Sequence, residues 1–173
     1  MGNLLGRTCK LYGNAIQGLE WLSPISLLLF RLWVAVDFWR AGVVKIADIQ
    51  STITLFQYMY HVPLLPAVTA AYLGTAIELI TPWFLGFGLL GRITALFLFG
   101  YNIIAVISYS ALWPHGLWHG FWGSDFTDHK VWGLMLLAIV LFGPGKLSLD
   151  HVLRRWGWPR VLGNPPHEPN SGA

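Results

Sequence analysis

The stretch at residues 24–46, PISLLLFRLWVAVDFWRAGVVKI, limits what this chain can become more than any other. It is long and apolar enough to suggest a helix that crosses a membrane. It also carries Arg31, Asp37, Arg40 and Lys45. A charge at the centre of a spanning helix costs roughly 2.5–3.5 kcal/mol. Lys45 sits at the end of the run and can reach the interface along its own stem. Arg31, Asp37 and Arg40 cannot all do so. They must face a protein interior or a wet cavity and find partners there.

Composition agrees with that reading. Hydrophobic residues make up 55% of the 173 and charged residues only 11%, against about 25% charged in a soluble domain. Three further apolar runs follow the first. Residues 64–90 carry Glu78 as their only charge, with Pro82 four residues later. Proline has no N–H, so the Glu78 carbonyl loses its helical partner and a kink is expected at an intramembrane acid. Ala67 with Ala71, and Ala70 with Gly74, are small pairs four residues apart that let another helix approach closely. Residues 93–112 form a third span, with Asn102 in its middle and Tyr109 towards its far end. A fourth is expected from Asp128 to Leu147, although its purely apolar part, residues 131–142, is short.

The remaining segments read as connections and ends. Residues 53–62 suit an interfacial or re-entrant turn of helix, and residues 113–130 form a loop rich in Trp, Gly and His. Residues 1–23 suit an amphipathic segment on the membrane surface. Residues 151–173 suit a basic tail whose Pro-, Gly- and Asn-rich end is disordered. The expected fold class is all-α: an integral membrane four-helix bundle over residues 24–150, between N- and C-terminal interfacial segments. Four spans put both termini on one side. That side would hold Arg7, Lys10, Arg92, Lys146, Arg154, Arg155 and Arg160, and the other only Lys45 and Lys130. The bias places both termini in the cytoplasm.

The candidate site residues follow from the same cost argument. Arg31, Asp37, Arg40, Glu78, Asn102 and Tyr109 form the expected intramembrane polar cluster. Asp37 and Arg40, three apart, can pair within one helix. Arg31 then has Glu78 as the only acid on another span. Each lies 14 residues from its outer-end marker, or about 21 Å deep at about 1.5 Å per residue. An interhelical Arg31–Glu78 pair is therefore expected. In the loop, His115 and His119 are four apart and Asp125, Asp128 and His129 lie close in sequence; His115, His119, Asp128 and His129 are the candidate set, with nitrogen and oxygen ligands suited to zinc or copper. Gly116, Gly120 and Gly123 argue against a regular helix there, and solvent-exposed loop histidines are the plainer alternative. Cys9 is the single cysteine, which excludes an internal disulfide and C-x-x-C thiol or zinc chemistry. No histidine pair lies mid-span to ligate a haem. The formal net charge is a modest +3, and no nucleic-acid partner is expected.

Taken together, the chain resembles the DoxX family of small membrane proteins. The resemblance rests on Arg31 in LFRLWVA, the run FWRAGVVK ending at Lys45, Glu78 in GTAIELI, LGFGLLGR ending at Arg92, and GPGKLSLD at residues 143–150. It implies a four-helix protein of the bacterial inner membrane. It also implies an association with thiosulfate- or quinol-oxidising membrane systems, since some members resemble subunits of thiosulfate:quinone oxidoreductase. The His/Trp loop at residues 113–130 lies outside the pattern.

Three function classes are open on this basis. The first is a subunit or accessory of a quinone-linked membrane oxidoreductase. Quinone is then the candidate cofactor, a redox partner protein carries the electrons, and the bilayer and other copies of the chain are further partners. A quinone site wants an apolar slot, aromatic walls and a hydrogen-bonding group at the ring oxygens. The second is a non-catalytic assembly subunit whose polar groups fix helix register. The third is a metal-binding or small-solute transport protein.

Overall fold

The computed structural model describes residues 2–156, with side chains described from Tyr12 onward apart from five positions before Leu22. Among the described residues the chain is all-helical, with seven α-helices and no strand. They are α1 (Gly2–Ala47), α2 (Ile49–Tyr58), α3 (Ala67–Phe87), α4 (Gly91–Ser108), α5 (Leu117–Trp122), α6 (Thr127–Phe142) and α7 (Leu149–Arg155). The expected disordered end at residues 159–173 lies outside the described residues.

Two boundaries differ from expectation. The surface segment at residues 1–23 is not set off from the first span; α1 runs unbroken through Pro24. A proline removes one rung of the hydrogen-bond ladder without obliging the helix to stop. The fourth apolar helix is shorter than expected, because Gly143 at φ +84° ends α6 well before Leu147. Among the described residues, α3 and α4 are the two helices long and apolar enough to cross a membrane.

Helix α1 packs on α3 and α6, and α4 packs on the same two helices. The four surround one core of Val34, Ala35, Phe38, Leu85, Ala95, Leu98, Leu136 and Ile139. Helix α2 folds back beside the start of α3, where Ile53 and Phe56 bury against Ala70 and Ala71. Asp48 starts α2 by accepting a hydrogen bond from the Ser51 amide at 3.0 Å. The hydrogen bonds from Ser51 hold its carboxyl below the usual carboxylate range. Helix α3 continues through the buried Pro82, and the Thr81 hydroxyl donates to the Ile77 carbonyl one turn back at 2.7 Å.

The end of this assembly holding the α3–α4 turn is tied by polar contacts. Gly88, at φ +67°, closes α3, and its amide donates to the Leu85 carbonyl. The Asp150 carboxylate accepts from the amides of Leu90 and Gly91 at 2.8 and 2.7 Å, capping the start of α4 from a distant part of the chain. An anion is favoured there because first-turn amides are otherwise unpaired and the helix dipole is positive at that end. Ser148 caps α7, its hydroxyl accepting from the His151 amide at 3.2 Å.

Candidate functional site

The charges of α1 after Pro24, namely Arg31, Asp37, Arg40 and Lys45, divide between two ends of the helical assembly and one outer groove. Arg31 is fully buried. Its guanidinium donates to the carbonyls of Gly86 at 3.0 Å and Leu147 at 2.5 Å. Those carbonyls lie at the C-terminal end of α3 and just before α7, where unpaired oxygens favour a cation. The expected Arg31–Glu78 pair is therefore not formed.

Glu78 instead meets Lys45, whose ammonium lies 2.5 and 2.6 Å from its two carboxylate oxygens. The Tyr101 hydroxyl donates to the same carboxylate at 2.8 Å. Glu78 is 6% exposed, and the Lys45 side chain 18%. Lys45 thus turns inward instead of reaching the interface. The register explains the exchange of partners. Gly42 faces Glu78 and Leu79 so closely that an added Cβ would lie 2.9 Å from the Glu78 carbonyl carbon. Ala35 faces Gly86. Helix α2 occupies the first turns of α3, so Glu78 comes level with the end of α1 and not with its middle.

Two glycines make room for the pair. Gly42 lies one turn before Lys45. Gly74 lies one turn before Glu78, where an added Cβ would come within 3.2 Å of the Tyr101 hydroxyl. Around the pair, Lys45 Nζ lies 5.9 Å from the centre of the Phe56 ring. Phe56 stacks on Tyr60 at 4.6 Å, and Tyr60 stacks on Tyr109 at 4.7 Å. Burial pushes the Tyr60 hydroxyl above the ordinary tyrosine range, with Tyr109 and Glu78 adding to the shift. Tyr109 thus joins the polar centre through a ring stack.

Asn102 works elsewhere. Its amide nitrogen donates to the His129 carbonyl at 2.8 Å, and its oxygen lies 2.7 Å from His129 Nδ1. Gly133 lies at this contact between α4 and α6, where an added Cβ would be in ordinary contact with the Asn102 nitrogen at 3.5 Å. His129 is thereby held between helices and is not part of a loop metal cluster. Asp128 is not part of one either. The histidines that come together are His115 and His119, and the carboxylate with them is Asp125.

Asp37 and Arg40 do not form the expected intrahelical ion pair among the described residues. Asp37 accepts from the Trp132 indole at 3.0 Å, across the α1–α6 contact. That bond turns its carboxylate towards α6, while Arg40 remains exposed. Both nevertheless line one shallow, open groove with Leu29, Leu32, Trp33 and Val36, along an outer face formed by α1 alone. The groove is apolar, has an indole on its wall, and carries one cationic donor and one carboxylate.

Tyr101, Trp132 and Asp150 are polar participants that the sequence did not single out, and Lys45 was expected at the interface and not at Glu78. Spacing offered one clue for Lys45: a glycine one turn earlier makes room for a helix contact. For Asp150 the clue was its place in GPGKLSLD, two residues after a capping serine.

Residues 26–111 match the family model described as DoxX. The match takes in the second half of α1 through α4, and so includes Arg31, Arg40, Lys45, Glu78 and Tyr101. A protein of Haemophilus influenzae, described as an uncharacterized protein, is 28% identical over 155 residues, covering 86% of this chain and 92% of its own length. No solved structure matches the chain.

Proposed function

Since this chain belongs to the DoxX family, we propose that it is an integral membrane four-helix bundle of the bacterial inner membrane, with cytoplasmic termini, serving a quinone-linked oxidoreductase as its membrane subunit. Its outward surface supports the membrane placement. Val44, Leu73, Ile80, Trp83, Ile93 and Leu96 all lie exposed on α1, α3 and α4, and soluble monomers rarely expose contiguous apolar patches larger than a few hundred Å². Arg31 and Glu78 meanwhile turn inward, and Arg40 is the charge left on the outer face of α1. The orientation rests on the basic residues, which gather at the Arg92 end and in the tail.

The groove on α1 carries the functional reading. It opens sideways on the outer face of a helix, where a lipid-soluble quinone arrives by diffusion in the bilayer. The Trp33 indole offers an aromatic wall. Arg40 offers a charge-assisted hydrogen bond to a ring oxygen, and Asp37 a proton-exchanging group. Reduction of a quinone to its quinol takes up two electrons and two protons. With one cysteine and no mid-span histidine pair, the electrons come from a partner subunit. The test is photo-crosslinking with an azido-quinone in native membranes. Labelling of the peptide spanning residues 29–40, lost on Arg40→Gln, is expected. Labelling that ignores Arg40, or falls on other helices, would refute the site.

A second reading, an assembly subunit without chemistry of its own, is favoured by Glu78. Its carboxylate is already met by Lys45 and Tyr101, as a register lock requires. On that reading Arg40→Gln leaves the quinone-linked activity of the membranes unchanged, while Lys45→Met disrupts assembly.

A further inference from the structure

A different group of side chains lies outside the family match, in the loop between α4 and α6. We propose that His115, His119 and Asp125 form a divalent-cation site whose ion is Zn2+. The site is independent of the quinone groove.

One ligand atom from each of the three residues lies within 4.8 Å of the other two. Zinc bonds imidazole nitrogen at about 2.0–2.1 Å and carboxylate oxygen at about 2.0–2.2 Å, which sets tetrahedral ligand atoms about 3.3 Å apart. The two imidazoles are exposed and lie 5.6 Å apart between ring centres. Asp125 is the fixed ligand. Its Oδ2 is shielded from solvent and has no hydrogen-bond partner in the structure. A buried carboxylate oxygen without a donor is costly, and a cation bound there removes the cost.

The scaffold is ordered around the three ligands. His119 lies on α5, and His115 in the turn before it. The glycines that argue against a long helix still allow this single short one. Lys130 gathers the carbonyls at the end of α5, donating to Gly120 at 3.1 Å, Phe121 at 3.4 Å and Gly123 at 2.6 Å. Gly120 lets Asp125 come close, because an added Cβ would sit 3.2 Å from Asp125 Oδ2 and 2.6 Å from the Phe126 ring. An added Cβ at Gly123 would sit 3.8 Å from His119 Nδ1. Two imidazoles and one carboxylate are a ligand set that zinc accepts, with the fourth tetrahedral position left to water. Bound zinc ties the start of the loop, its short helix and the turn into α6 together.

The test uses the full chain in lipid nanodiscs, purified without a histidine tag and stripped with chelator. Zn2+ alone is titrated calorimetrically, and Co2+ serves as a spectroscopic probe of geometry. One equivalent per chain is expected, with a tetrahedral Co2+ spectrum. His119→Ala and Asp125→Asn should each weaken binding at least 10-fold. His151→Ala, at an exposed histidine on α7, should leave it unchanged. Should His119→Ala fail to fold, the isosteric Asp125→Asn decides by itself. The site is overturned if no stoichiometric binding is found, if Asp125→Asn binds as tightly as wild type, or if His151→Ala weakens binding as much as the loop changes.

Discussion

Breaking the Lys45–Glu78 pair should be among the most damaging single changes in the helical core. The ammonium bridges both carboxylate oxygens at 2.5 and 2.6 Å, and Glu78 is 6% exposed. Removing one member of a buried pair leaves the other charge uncompensated and costs about 3–5 kcal/mol. Lys45→Met leaves the Glu78 carboxylate with Tyr101 as its donor. Glu78→Gln leaves a buried ammonium facing a neutral amide. Each should cost close to that full amount. The double change removes both charges, so its loss should fall short of the sum by at least about 2 kcal/mol. The assay is a double-mutant cycle on the purified protein, following helix loss during thermal and denaturant unfolding in one fixed detergent. Arg31→Met with Glu78→Gln is the control cycle. Arg31 bonds to carbonyls at the far end of α3, so those two losses should add. Additive losses for Lys45 and Glu78, or strong coupling between Arg31 and Glu78, would refute the register derived from Gly42 and Ala35.

Further expected outcomes follow from the same contacts. Tyr101→Phe removes one hydrogen bond to a charged group and should cost about 1.5–3 kcal/mol, read by the same unfolding assay. Gly88→Ala should destabilise strongly, because Gly88 sits at φ +67° and an added Cβ would lie 2.6 Å from the Ser148 Cβ and run into the Arg31 guanidinium; Gly18→Ala, inside α1 with open space around it, should stabilise by about 0.5–1 kcal/mol. Asp150→Asn keeps the side chain's shape but loses the charge that caps Leu90 and Gly91, and should raise amide exchange in the first turn of α4. Tyr60 favours its neutral form in the folded protein. Its contribution is therefore complete below the ordinary tyrosine pKa of about 10 and is lost as pH rises above it. Tyr60→Phe should accordingly flatten the alkaline fall in Tm.

The helices were legible where apolar runs were long and sharply ended. Gly88 and Gly91 bracket the α3–α4 turn as the run LGFGLLGR suggests, and Pro66 precedes α3 as its N-cap. The burial of Arg31 and Glu78 was also legible, because a charge inside an apolar run has to find a partner. Which partner it finds depends on depth, and depth was not legible. Counting from the loop ends assumed that α1 and α3 share their outer limits. The fold-back of α2, held by Ile53 and Phe56 against Ala70 and Ala71, shifts α3 by several turns and hands Glu78 to Lys45. The loop shows the same limitation. Asp125, Asp128 and His129 lie close in sequence, and nearness alone did not show which of them joins His115 and His119. The start of α6 sets His129 against Asn102 instead. Asp125 enters the cluster through Gly120 and the Lys130 clamp, contacts that span several residues and follow no fixed motif.

The quinone content of the purified chain tests the central proposal most directly. Wild-type protein and Arg40→Gln are reconstituted in nanodiscs with the same quinone-containing lipid, and quinone is extracted and quantified per chain. Arg40 is exposed in the groove, so its replacement should leave thermal stability unchanged. The expected result is close to one quinone per wild-type chain above the lipid background, falling to background in Arg40→Gln. Equal quinone in both proteins, or none above background in either, would contradict a quinone site on α1.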